Sequence, residues 1–174
     1  RKKNETKIQS SIQTNGKFNF SQIKKISSLF GLNINNLKDI SGTANLKTNI
    51  NFNLDKKFKV KNLSYSTEGN ISNVEIHTQE RSIIKQYLPE YDPKIILKDV
   101  NVKHNNSKSD HTSELSGFIK VNDNFDSFKI KEIYDYNKKI FNISGVVDLT
   151  NSKVKVSKLN YNKVHGKKSE ISFD

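Results

Sequence analysis

Four histidines, His77, His104, His111 and His165, are the side chains of this sequence that titrate near neutral pH by default, and no cysteine accompanies them. Thiol nucleophiles, thiolate metal sites and disulfides are therefore excluded. A metal centre needs three or more converging ligands with outer support. The one close group, His104 with Asp110 and His111, falls in an Asn-, Ser- and Lys-rich stretch that reads as a solvated hairpin loop. Carboxylates such as Asp39, Asp55, Glu68, Glu75, Glu90 and Asp126 are scattered at strand ends and turns and form no acid/base dyad. No G-x-S-x-G elbow, phosphate-binding glycine loop or H-E-x-x-H occurs. The expectation is a protein that is not an enzyme and carries neither a metal nor another cofactor.

Charge defines the next class to weigh. The 30 basic against 18 acidic residues give a net +12, which raises nucleic acid or an anionic membrane surface as a partner. Of the 30, however, 28 are lysine and 2 arginine, alongside 23 Asn and 19 Ile, the residues that AT-rich codons supply. Recognition of phosphates and base edges leans on arginine's planar fork. Phe52, Phe58, Tyr65 and Phe141 alternate with Lys or Asn, which sets rings and charges on opposite faces instead of in one stacking platform. Nucleic acid is therefore not the expected partner, and the charge reads as a solvated face.

The elements that must position any site are strands. Only 33% of the residues are apolar, low for an ordinary globular domain, and they include 19 Ile, 10 Val and 10 Phe but a single Ala. β-Branched and aromatic side chains suit a half-buried pleated surface, so an all-helical chain is excluded. From Thr43 to Leu54, Ala44, Leu46, Thr48, Ile50, Phe52 and Leu54 alternate with Asn and Lys, the mark of a strand with one wet face. Shorter alternations occupy 59–67, 95–102, 115–121, 140–149, 153–161 and 168–173, and turn-prone clusters at 53–57, 105–110, 122–126 and 151–153 separate them. A short helix is expected from a Ser21 cap through Phe30, stopped by Gly31, and a second over Ser82–Leu88, ended by Pro89.

The fold class is thus mainly β: an elongated, curled antiparallel β-sheet forming an open groove, with one or two short helices. Residues 1–36 read as N-terminal strands and the short helix, and 37–174 as one continuous, repeat-containing groove segment. The sequence starts at Arg1 and contains no Met, so it is expected to be a piece of a longer chain, with any targeting information outside it.

The repeat lies in the strands. Ser41-Gly42-Thr43-Ala44-Asn45-Leu46 recurs as Ser144-Gly145-Val146-Val147-Asp148-Leu149, and more loosely as Ser116-Gly117-Phe118-Ile119-Lys120-Val121. Val60-x-x-Leu63-x-Tyr65 followed by Gly69 resembles Val156-x-x-Leu159-x-Tyr161 followed by Gly166. A glycine on the apolar face of a strand marks a bulge, a bend or a close approach. It is equally the residue of an ordinary strand start.

The segments Leu37-Lys38-Asp39-Ile40-Ser41-Gly42-Thr43-Ala44-Asn45-Leu46, Phe58 to Ser66, Gly69 to Val74, Leu115-Ser116-Gly117 and Ile143-Ser144-Gly145 resemble the repeating strands of the AsmA-like superfamily, nearest to its YhdP and TamB type. The likeness covers about residues 37–174. It implies a periplasmic protein of Gram-negative bacteria, anchored in the inner membrane by an N-terminal helix. Its curled sheet would carry phospholipid towards the outer membrane and support outer-membrane lipid homeostasis. The partner implied is then the phospholipid acyl chain. The groove-lining candidates are the residues in phase with the repeat glycines, Leu46, Ile50, Phe52, Leu54, Ile119, Val121, Val147 and Leu149, joined by Leu63, Tyr65, Leu159 and Tyr161. The alternative is a closed, Lys-rich β-sandwich that binds surfaces or mediates adhesion, since apolar alternation reads the same whether or not a second sheet seals it.

Overall fold

The computed structural model describes residues 5–29, 34–79, 93–121 and 123–174. Eight strands, β1 (Thr6–Asn19), β2 (Leu37–Leu54), β3 (Val60–Thr78), β4 (Lys94–Asn106), β5 (Asp110–Val121), β6 (Asn124–Asp135), β7 (Ile140–Asp148) and, at the far edge, β10 (Glu170–Phe173), form one curled antiparallel sheet. The first seven follow one another in chain order, as hairpins dictate. Between β7 and β10 the chain makes a separate ribbon from β8 (Val154–Val156), a 3-10 turn (Ser157–Leu159) and β9 (Tyr161–Lys163). The expected single strand over 153–161 is thus a reversal, closed at Asn160, whose φ is 48°.

The one helix among the described residues, α1 (Phe20–Leu29), follows β1 directly. Its cap is Asn19, not Ser21: Asn19 Oδ1 accepts from the Gln22 N–H at 3.1 Å, and Gln22 Oε1 accepts from the Asn19 N–H at 2.9 Å. That reciprocal pair satisfies two backbone donors, which a Ser21 cap would leave inside the first turn. Gly31 and the proposed helix over Ser82–Leu88 lie outside the described residues. β1 pairs with β2 from Thr6 opposite Leu54 to Asn19 opposite Ser41, so residue 36 marks no boundary within the sheet.

Bulges interrupt the ladders, and two of them share one crease. Among the described residues the register shifts in four places: Lys38 is extra between Leu37 and Asp39 of β2, and in three pairs two residues oppose one, where Asn62 and Leu63 face Phe52, Asn73 and Val74 face Gly42, and Asp99 and Val100 face Gly117. The first residue of each pair has φ of 51–52°, a left-handed conformation that Asn and Asp tolerate better than other non-glycine residues. Between β3 and β4 the two bulges lie side by side, flanked by Ile71 opposite Val100 and Val74 opposite Leu97. The spacing Val60-x-x-Leu63-x-Tyr65 is therefore a bulge signature, and it recurs as Ile71-x-x-Val74-x-Ile76 and Leu97-x-x-Val100-x-Val102. In Val156-x-x-Leu159-x-Tyr161 the same letters make the β8–β9 reversal. Five apolar side chains, Ala44, Val74, Val100, Phe128 and Leu149, are buried, and the middle three lie along or beside this crease.

Candidate functional face

Residues directly opposite each other in an antiparallel pair project from the same face, so the registers sort every paired side chain. One row runs unbroken through all eight strands: Thr14, Leu46, Gly69, Val102, Leu115, Ile130, Gly145, Phe173. With strands about 4.8 Å apart, it extends about 34 Å across the sheet. Beside it lie Ala44, Ile71, Val100, Phe128, Val147 and Ile171. The lysines at paired positions, Lys7, Lys17, Lys47, Lys61, Lys94, Lys98, Lys103, Lys120, Lys129 and Lys131, all fall on the other face. That face also bears Ile96, Phe118, Phe125, Ile133 and Val146, yet it holds the ion pairs Lys94–Glu75 at 2.9 Å and Lys131–Glu114 at 3.0 Å.

Of the groove-lining candidates, Leu46, Ile50, Phe52, Leu54, Tyr65, Ile119, Val121 and Val147 share the lysine-free face, and Leu63 joins it from its bulge. Leu149 is buried just beyond β7. Leu159 and Tyr161 are not brought to the sheet; they sit on the 3-10 turn and β9, and Leu159 is 71% exposed. Sequence reasoning missed Ile8, Ile12 and Phe18 of β1, whose even spacing was the available signal.

The repeat glycines on this face are Gly42, Gly69, Gly117 and Gly145, each serving a close approach. A methyl group at Gly42 would fall 2.6 Å from the Phe18 ring, and one at Gly145 2.5 Å from the Phe173 ring. Phenylalanines from both edge regions thus lie over glycines of the Ser-Gly repeat, restoring the apolar contact that a bare glycine lacks. At Gly117 the backbone of the Asp99–Val100 bulge occupies the space. Gly166 lies in the turn after β9 with nothing within 4 Å.

The face is open. Among the described residues the second sheet is only the β8–β9 ribbon, and Ile12, Ile143 and Ile171 are 48%, 40% and 53% exposed. A shallow hollow of about 510 Å³, bordered by Gln13, Asn45, Lys47, Glu68, Asn101 and Lys103, lies on the lysine-bearing face. Amide and charged side chains make up most of its rim and it lies wide open to solvent, so it is not an enclosed ligand cavity.

Towards the β4–β5 turn the apolar face becomes aromatic and polar. Both His104 and His111, expected in a loop, stand on strands, because the turn itself spans only 107–109. Tyr65, His104, His111 and Tyr134 follow one another with ring centroids 5.5, 5.9 and 5.6 Å apart, and Tyr136 meets Tyr134 edge to face at 5.3 Å. His111 Nε2 lies 2.9 Å from Glu132 Oε1, His111 Nδ1 3.1 Å from the Tyr136 hydroxyl, and that hydroxyl donates to Asn106 Oδ1 at 2.7 Å. No three or more His, Cys, Asp or Glu among the described residues converge to hold a metal ion.

Burial, and after it the charge of His111, holds the His104 imidazole below its usual value. The unfolded chain then takes up a proton first, so this contribution is intact above about pH 6.5 and is lost as the pH falls through that value. Hydrogen bonds, and after them the charges of nearby lysines, depress Asp55, Glu75, Glu114 and Asp148 as well, which adds a second loss below about pH 4. Melting temperature measured against pH should show two declines. His104→Asn should remove the upper one and leave the lower, and an unchanged upper decline would refute the assignment.

Among the described residues, fold and face define an antiparallel sheet with one face that is largely apolar and carries no lysine at a paired position. No protein-family model, curated protein or solved structure matches the chain.

Proposed function

We propose that this chain is a segment of a periplasmic AsmA-like protein whose apolar β-face carries phospholipid between the inner and outer membranes. The observation that carries the reading is the row that runs through all eight strands with five apolar side chains, on a face with no lysine at a paired position in a chain of net charge +12. Acyl chains need no directional partner. They gain about 0.8 kcal/mol per buried methylene, while their head groups remain in water. Anchoring in the inner membrane belongs to the same proposal; no helix among the described residues is long and apolar enough to cross a membrane.

Photo-crosslinkers at Ile50 and Val147 should capture phospholipid in cells, whereas the adjacent positions Asn51 and Val146, on the opposite face, should not. Equal labelling of the two pairs would sink the proposal. A sealed sandwich would leave both pairs unlabelled and give salt-sensitive binding to anionic polymers instead.

A further inference from the structure

The lysine-free face is not uniform, and its polar end has a sign. Among the described residues at paired positions on that face, the charged groups are Asp126 and Glu132. Asp126 is 1% exposed and accepts from the Ser152 hydroxyl and from the Asn151 N–H. Glu132 is different: its side chain is 35% exposed, Oε1 meets His111, and Oε2 has no hydrogen-bond partner among the described residues. Around it stand His111, Tyr134 and Tyr136, the two tyrosine rings at 74° to one another.

We infer that this corner holds the ammonium group of an amphiphile whose tails lie on the adjacent apolar rows. Two near-perpendicular rings form two walls of a cation cage, and an unpaired carboxylate oxygen supplies the counter-charge. No lysine or arginine at a paired position of this face complements a phosphate, which sets an amine or quaternary-ammonium head group apart from a purely anionic one. The distance fits as well: Glu132 lies two residues, and Tyr134 four, from Ile130, which belongs to the row through all eight strands. The inference rests on the lipid reading only for the molecule that bears the ammonium.

Choline, the head group without tails, tests the corner directly. Titrated into the full chain, it should shift the His111 and Tyr134 resonances. Glu132→Gln and Tyr134→Leu should each weaken binding on the order of ten-fold, the scale of one cation–π or charge contact. Glu114→Gln, on the lysine-bearing face, should change nothing. Choline that leaves those resonances unmoved, that binds wild type and Glu132→Gln alike, or that is outcompeted by glycerol phosphate overturns the inference. Retention of diacylglycerol, measured by native mass spectrometry, reports on the apolar rows alone. Its failure beside intact choline binding would sink the lipid reading and still support the ammonium site.

Discussion

Gly69→Ala is expected to lower the melting temperature by about 10 °C, the equivalent of roughly 4 kcal/mol in a chain of this size. Gly69 has φ of 150°, a conformation that side-chain-bearing residues rarely adopt. An alanine Cβ there would overlap the Asn45 carbonyl oxygen and lie 2.9 Å from Leu46 Cα. Both obstacles are backbone atoms of the neighbouring strand, so no rotamer change relieves them, and β2 and β3 must separate or slip. Slippage by one residue would turn the Leu46, Ile50 and Phe52 set towards the lysine-bearing face. Gly166→Ala is the control: φ is 79° and nothing lies within 4 Å, so only backbone strain of about 1–2 kcal/mol applies. Thermal unfolding of the two variants side by side decides the matter. Equal, small losses would show that Gly69 is dispensable.

The face of the sheet was legible in the sequence where nothing interrupts the period of two. Thr43–Leu54 in β2 alternates without a break and Leu115–Val121 in β5 with the one exception of Phe118, and the phase read from them is the phase observed. β3 and β4 run longer than the alternation predicts because Asn73 and Asp99 each insert a residue, turning a spacing of two into three at Ile71 to Val74 and at Leu97 to Val100. β6 gave no strand signal. It carries Asp126 and Glu132 at positions of the apolar face and Phe125 and Ile133 on the other, which scrambles the alternation. The aromatic corner was hidden for a related reason. Its members come from β3, β4, β5 and β6: the register of four strands sets Tyr65, Asn106, His111 and Tyr134 in one row, and His104 stacks between Tyr65 and His111 from the neighbouring row. The chemistry overlooked in reading the sequence thus sits where local rules fail, as expected when a face combines packing with recognition.

Lys163→Met should detach the far edge of the sheet while leaving β1–β5 in place. Lys163 is 2% exposed, and its ammonium donates to the carbonyl oxygens of Thr150, Ser152 and Val164 at 3.2, 2.6 and 3.2 Å, using all three of its protons. Ser152, fully buried, bonds in turn to Asp126 of β6. This knot ties the β8–β9 ribbon to the body of the sheet, and the chain can return as β10 only from there. Methionine fills much of the volume but leaves buried carbonyls without donors, at a cost of about 3 kcal/mol. The loss should fall locally, since β10 is only four residues long and its pairing is confined to Gly145–Asp148 of β7. Amide exchange should then quicken across 149–173 with the strands before β6 unchanged. Ile171 would leave Val147 and Phe173 would leave Gly145, so labelling of a crosslinker at Val147 should fall while that at Ile50 persists. Uniform quickening along the whole chain would mean that the knot supports the entire sheet; wild-type exchange throughout would mean that it supports nothing. The first local outcome makes the buried lysine a device for carrying the apolar face one strand further, across a span where the chain has left the sheet.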